Sequence, residues 1–296
     1  MRERRRKGNR PRILVYWCSA GWLNAGRHSI VISSNSLPVR RLWREDLLPR
    51  KHARLSRTRV TLRDGARTTL HVASYDRQAV SPRVVVLERP APLVRWCREQ
   101  NIRHAVVGGF FVRPDCVPLG QLQVGGTVLP SAAFDVPWGD LRACVHVTDG
   151  TLRIARRDQL AGDLAGHLLQ AGPLLVADGR CLHEEGRDQE GFSAAAHQFD
   201  SDITVGRYPR AALAIAGDRL LAVACDGRTP RDAGMTLLDL AQALVNLGAT
   251  DALNLDGGGS ASLVHAGRLR NRPREAHGVD LLDGRTIATA IVFDPQ

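Results

Sequence analysis

The stretch GMTLLDLAQALVNLGATDALNLDGGGSASLV, residues 234–264, decides the fold. Thr236 starts a helix as its N-cap, and Asp239 stands at the third helical position, a variant of the capping box. Leu237, Leu240, Ala241 and Leu244 recur at i, i+3, i+4 and i+7, which lays one apolar stripe along the helix. Gly248 ends it as the left-handed residue just past the C-terminus. TDALNLD then reads as a strand, and RLLAVACDGR (219–228) reads as another before the helix. Strand, helix, strand over about 40 residues predicts a βαβ unit with parallel strands and a right-handed crossover. Asp226 follows the first strand and Asp256 the second, so both are expected at the carboxyl ends of parallel strands, the edge where open α/β sheets bind ligands. If those strands are neighbours, the two carboxylates face one crevice.

Working outward, TRVTLR-DG-ARTTLHV (58–72) alternates on both sides of Asp64-Gly65, which predicts a hairpin with a type I′ turn. RVVVLE (83–88) reads as a buried strand, 90–101 as a short helix whose apolar side is Leu93, Val94, Trp96 and Cys97, and RHAVVGGFF (103–111) as a strand ending in a Gly-Gly-aromatic turn. Short strands are expected at 143–148, 173–179, 211–217 and 286–293, and the Asp-Gly pairs that follow several of them read as turns. His146 alternates with Val145 and Val147 and is placed on the exposed face of its strand. Residues 184–202 read as a long polar loop whose His197, Asp200 and Asp202 either reach the crevice or are simply solvated. The fold class is therefore α/β of the mixed α+β kind, a hairpin-rich mixed sheet with one βαβ unit and few helices. It occupies 57–296, after a basic leader and lead-in at 1–56.

The 296 residues carry 41 Lys+Arg against 30 Asp+Glu, a net +11, but the charge is unevenly placed. Residues 1–59 hold 16 Lys/Arg and 3 Asp/Glu, so the remaining chain is at −2. An electrostatic claim about partners thus applies to the N-terminal segment alone. No aromatic-basic interleaving or DNA-reading helix supports nucleic acid as a partner. No run approaches the ~20 apolar residues of a membrane span. The start MRERRRKGNRPR followed by ILVYWCSAGWL has the basic and apolar parts of an export signal, with Cys18, Ser19 and Gly21 interrupting the apolar run. Export and a plain basic extension on a cytoplasmic protein both stay open. The 6 cysteines are scattered, with no C-x-x-C, so reduced thiols are expected and a zinc site is not. Trp22, Trp43, Trp96 and Trp138 are too dispersed to make a sugar platform, and Asn254 points away from the face of Leu253 and Leu255.

DGGGSAS (256–262) is the most specific motif. Gly257, Gly258 and Gly259 after a strand let the backbone approach a ligand closely and form an anion nest, with Ser260 and Ser262 adding hydroxyls. The turn lacks the lysine of a phosphate-binding P-loop and enters a strand-like SLVHAG instead of the helix of a dinucleotide fingerprint. The plainer reading is a glycine-rich hairpin.

In its helix–strand context, the 234–264 stretch closely resembles the core of the phosphodiester glycosidase domain family. Collinear segments extend the resemblance over about residues 55–296: VVGGFF (106–111) followed by PLG and a GG turn, AGPLLVADGR (171–180), YPRAALAI (208–215), VACDGR (223–228) and LRNRP (269–273). Two positions depart from the family pattern, Val107 where Asn is usual and Ala211 where Thr is common. The resemblance implies a hydrolase acting on a sugar-1-phosphodiester or related glycosidic linkage in a glycoconjugate or polysaccharide, through an oxocarbenium-like transition state with a phosphate leaving group. On that reading Asp256 and Asp226 are candidates for nucleophile, general base or ring-cation stabiliser. Arg210 is the leading phosphate clamp. The 257–260 backbone with Ser260, and Gly109 and Phe110 of the Gly-Gly-aromatic turn, complete the substrate surface. No cofactor is implied, and no acidic spacing matches a calcium loop. Two rivals remain: a non-catalytic glycan-binding or envelope-assembly module on the same fold, and a binder of anionic surfaces or nucleic acid through the basic N-terminus.

Overall fold

Side chains of the strand Arg219–Cys225 alternate between two cores. Leu220, Ala222 and Ala224 join the larger apolar cluster, while Leu221, Val223 and Cys225 face the helix Leu237–Asn246. That period of two is what a strand buried on both faces requires. The computed structural model describes residues 30–31, 53–160, 164–183, 188–193, 198 and 203–296. Cys18, Trp22, Trp43, His197, Asp200 and Asp202 lie outside the described residues.

The helix is specified at both ends, as its sequence predicts. Thr236 Oγ1 accepts the Asp239 N–H at 3.0 Å, and Asp239 Oδ2 accepts the Thr236 N–H at 3.3 Å. Gly248, at φ +82°, donates to Val245 O, and Ala249 donates to Leu244 O at 3.0 Å, the paired bonds of a Schellman motif. Leu237, Leu240, Ala241 and Leu244 are all fully buried against the sheet.

The main sheet has eight strands in the order Ile30–Val31, Ala53–Thr61, Arg67–Asp76, Arg219–Cys225, Arg210–Ala216, Asp251–Asn254, Leu174–Ala177, Arg180–Cys181. The strands flanking the helix do run parallel, but they are not neighbours. Arg210–Ala216 lies between them, antiparallel to both, with Arg210 opposite Cys225 and Ala212 opposite Asn254. Among the described residues every pairing of strands is antiparallel except that of Ile30–Val31 with Ala53–Thr61.

Two five-stranded sheets cover the other face. One runs Arg268–Leu269, Leu263–His265, His104–Val107, Thr286–Pro295, Val80–Pro92, and the other Thr151–Arg156, Ala143–Thr148, His167–Gln170, Leu122–Val124, Thr127–Val128. Val84, Val106, Val145, Leu213 and Ile291, drawn from all three sheets, share one core with no exposed surface. The fold is thus strand-rich α+β, a helix against one face of a large sheet and two smaller sheets against the other.

Local details depart from expectation for visible reasons. The hairpin at Asp64-Gly65 pairs Thr61 with Arg67 and closes with the Leu62 N–H on Ala66 O at 2.8 Å, and of the turn residues 63–65 only Gly65 takes positive φ (+84°). The loop is therefore longer than a type I′ turn. His146 is buried rather than exposed: Nε2 lies 2.8 Å from Ala165 O, and Leu160, Leu164 and Leu168 form an apolar cluster with Cys144 of the same strand. Glu190 and Phe192, in the polar 184–202 stretch, are buried too.

Candidate active site

Three strand ends converge at one edge of the main sheet. Arg219–Cys225 and Asp251–Asn254 finish there, and Arg210–Ala216 begins there, so Asp226, Arg210 and Asp256 stand on successive strands of one edge. With strands about 4.8 Å apart, the two aspartates are separated by roughly 10 Å of sheet. They do not form the adjacent pair that neighbouring strands would give.

Asp226 is 1% exposed and engaged on every side. Its Oδ2 meets His71 Nε2 at 3.1 Å, and its Oδ1 accepts the Arg272 N–H at 2.6 Å. Its backbone N–H donates to Thr69 O, and its carbonyl accepts Thr68 Oγ1. The carboxylate thereby fastens the 271–274 segment to the sheet. Arg210 is also drawn inward. Its guanidinium donates to the carbonyls of Met235 (3.1 Å), Ile203 (2.8 Å) and Gly206 (3.4 Å), and lies over the Tyr208 ring. The arginine expected to clamp phosphate instead anchors the approach to its own strand.

Asp256, at the same edge, is half-buried. Its backbone N–H donates to Gly108 O at 3.0 Å, locking the glycine turn to the end of the strand His104–Val107. Gly108 permits the approach: a Cβ there would stand 2.4 Å from Thr289 Oγ1. The anion nest is filled by the protein itself. Gly257 donates to Asp256 Oδ1 at 2.9 Å, Gly258 to Pro209 O and Ser260 to Gly257 O. The hydroxyls of Ser260 and Ser262 are sealed from solvent with no hydrogen-bond partner.

Of the Gly-Gly-aromatic turn, Gly109 donates to Thr289 Oγ1 at 3.1 Å, and Phe110 packs inward with Leu119, Phe134 and Phe192. Phe111, one residue on, faces out. It lines an open cleft of roughly 650 Å³ with Arg113, Pro114, Cys116, Glu275, Arg285 and Thr286. Val107 belongs to the apolar core, and Asn254 is buried with its side-chain N–H on Gly172 O at 2.8 Å.

The charged groups beside the glycine turn come from a segment that shows no periodicity in sequence. Arg285 holds Glu275 through two bonds of 2.7 Å each, and its backbone N–H donates to Gly259 O at 2.9 Å. Glu275 Oε1 would lie 2.7 Å from a Cβ built on Gly259, so the carboxylate lies against the turn itself. The Arg285 fork holds the Glu275 carboxyl below the usual carboxylate range, with Arg228 and Arg113 adding to the effect. Arg228, at φ +63°, donates to Arg274 O at 2.7 Å, stands 3.8 Å from Glu275 Oε2 and lies against Gly258. Burial, followed by the field of Asp115 and more weakly of Asp256, pushes the Cys116 thiol up. Glu275, Arg113 and Arg285 therefore line the cleft, Arg228 stands against Glu275 and Gly258, and Asp256 is near enough to act on the Cys116 thiol. Among the described residues no group of three or more His, Cys, Asp or Glu side chains is arranged to hold a metal ion.

The segment that carries this edge matches a known family. Residues 100–294 match the model of the phosphodiester glycosidase family. The chain belongs to that family. All of Asp226, Arg228, Asp256, Glu275 and Arg285 fall within the matched span. The fold is similar to the zebrafish N-acetylglucosamine-1-phosphodiester alpha-N-acetylglucosaminidase catalytic domain, auto-inhibited by its pro-peptide, with a TM-score of 0.63, 18% identity, and coverage of 82% of this chain and 83% of that one. It is also similar to a hypothetical protein from Synechocystis, with a TM-score of 0.57 and 19% identity over 84% of this chain, which spans 64% of that protein's length. No functionally curated protein matches the sequence. For this family member, then, the solved relatives speak to fold, and the chemistry has to be read from the cleft. No helix among the described residues is long and apolar enough to cross a membrane.

Proposed function

We propose that this phosphodiester glycosidase family member hydrolyses a sugar-1-phosphodiester, or a related linkage of a glycoconjugate or polysaccharide, in the cleft beside Asp256. The observation that carries this reading is a cleft lined by Glu275, Arg113 and Arg285, with Arg228 against Glu275 and the glycine turn that follows Asp256. A phosphodiester needs cationic, fork-shaped donors, and guanidinium matches phosphate oxygens bidentately. A sugar ring that develops oxocarbenium charge needs a carboxylate that stays ionised, which the arginine fork secures for Glu275. Phosphate leaves readily, so such a site has less need of a general acid than one that cleaves an ordinary glycosidic oxygen.

Asp256 is the candidate for attack or base catalysis, because it is half-buried while Asp226 is sealed and spent on His71 and Arg272. Its position is fixed by the bond to Gly108 and by the glycine turn, the kind of preorganisation that electrostatic catalysis uses. Arg228 and Arg285 take the role first given to Arg210.

One observation favours the rival reading, a glycan-binding module: the turn's N–H groups at 257, 258 and 260 are satisfied within the protein, leaving less to hold an oxyanion. Incubating the purified protein with sugar-1-phosphodiesters, nucleoside-diphosphate sugars and aryl glycosides separates the two. Free sugar from the phosphodiesters supports hydrolysis. Saturable glycan binding with no sugar released supports the module.

A further inference from the structure

Outside the cleft, the sheet that supports it carries a cluster of groups with no role in the chemistry above. The strands His104–Val107 and Leu263–His265 pair antiparallel, Leu263 with Val106, Val264 with Ala105, and His265 with His104. One end of this short ladder holds the site. Val107 N–H donates to Ser262 O at 3.0 Å, and the next residue, Gly108, supplies the carbonyl that holds the Asp256 N–H. The other end is the histidine pair, with ring centroids 4.8 Å apart and planes at 78°.

The setting resists a proton. Tyr75, from the strand Arg67–Asp76, has its ring 5.4 Å from His104 and 6.3 Å from His265, and stacks on Phe293 at 4.3 Å. Cys97 of the helix Leu93–Glu99 also acts on Tyr75. Arg103 adjoins the first strand, and Arg270 Nε donates to His265 O at 2.8 Å. Tyr75 Oη, His104 Nδ1 and both ring nitrogens of His265 are sealed from solvent without a hydrogen-bond partner. The charged groups that act on the two imidazoles are Arg103 and Arg270, and for His265 its partner His104, all cationic when charged. Burial, then His104 and the arginines, holds His265 down to about 4, and burial with the same arginines lowers His104.

We propose that the His104–His265 pair is an acid-sensitive latch on the candidate active site: protonating either ring opens the two-strand ladder from its far end and frees the Gly108–Asp256 bond. Both folded-state values lie below that of a free histidine, so the pair's contribution is present above about pH 6.5 and is lost as the pH falls toward the folded values. A protonated His265 finds no partner at either nitrogen without moving into water, and the ladder it ends is only three residue pairs long, while His104–Val107 stays paired with Thr286–Pro295 on its other edge. The latch concerns the fold around Asp256 and does not depend on which bond is hydrolysed there.

Amide hydrogen exchange on the full chain tests it, with rates corrected for the intrinsic effect of pH. Between pH 7 and 4.5 the protection of Val107 and Asp256 is expected to fall at least about tenfold, given one or more uncompensated protons. Amides in the 210–216 and 219–225 ladder should keep their protection. His104→Phe with His265→Phe, or His265→Gln if the double variant does not fold, should retain protection at 107 and 256 at acid pH. Unchanged protection in the wild type, an equal fall in both ladders, or the same fall in the variants would overturn the proposal.

Discussion

Arg285 ties a carboxylate of the cleft to the glycine turn: its guanidinium grips both oxygens of Glu275 at 2.7 Å, and its backbone N–H reaches Gly259 O at 2.9 Å. Glu275→Gln leaves an acceptor for Arg285 but removes the charge that a cationic sugar ring would feel. We expect kcat/KM to fall about 100-fold or more, in line with the loss of one preorganised electrostatic group. Thermal stability should scarcely change, since a pair this exposed is worth at most about 1 kcal/mol. Steady-state kinetics alongside a thermal melt checks both parts.

Arg210 gives a contrasting expectation. Its buried guanidinium donates to three backbone carbonyls, so Arg210→Met should cost about 3 kcal/mol or more in denaturant unfolding. The folded variant should keep the wild-type KM within a factor of about two, because uniform substrate binding is not what is lost. A stable Arg210→Met variant with a greatly raised KM would return the phosphate to Arg210.

The contrast between these two arginines shows what the sequence could and could not disclose. The helix Leu237–Asn246 was legible because its stripe, capping box and Gly248 are all local signals. The parallel run of its flanking strands followed from that helix. The insertion of Arg210–Ala216 between them did not, because the choice of neighbour in a sheet is settled by long-range pairing. Asp256 could be read from its glycines, whereas Glu275 sits in an irregular segment whose only signal is the Arg-rich run RLRNRPRE at 268–275. Phe110 and Phe111 are adjacent, so their phase decides which faces the cleft, and phase was the missing datum.

Gly108 should tolerate no side chain. A Cβ there meets Thr289 Oγ1 at 2.4 Å and backbone at 2.8 Å, so Gly108→Ala is expected to cost about 2 kcal/mol or more as overpacking. Adding Thr289→Ala removes part of the clash and should recover part of that loss. The double-mutant cycle measures it, and strict additivity would show that the two residues do not meet.

Glu190 links stability to pH. It is 4% exposed, and burial pushes its carboxyl up to about 7, against the N–H donors of Leu174 and Ala143 and the charge of Arg142. A folded value above the usual 4.5 means that its contribution is complete below pH 4.5 and is lost as the pH rises through 7. Urea unfolding between pH 5 and 8 should show the decline, and Glu190→Gln should flatten it. An equally steep decline in the variant would assign the slope to another group.

Asp256 is proposed to perform chemistry beside the cleft, and the most direct measurement is free-sugar release from a sugar-1-phosphodiester by the wild type and by Asp256→Asn. The variant keeps the backbone bond to Gly108 and an acceptor for the Gly257 N–H, so its fold and substrate binding should survive. We expect steady release by the wild type and, from a folded variant that still binds substrate, a rate lower by at least about 1,000-fold. Equal release by the two proteins would contradict the account.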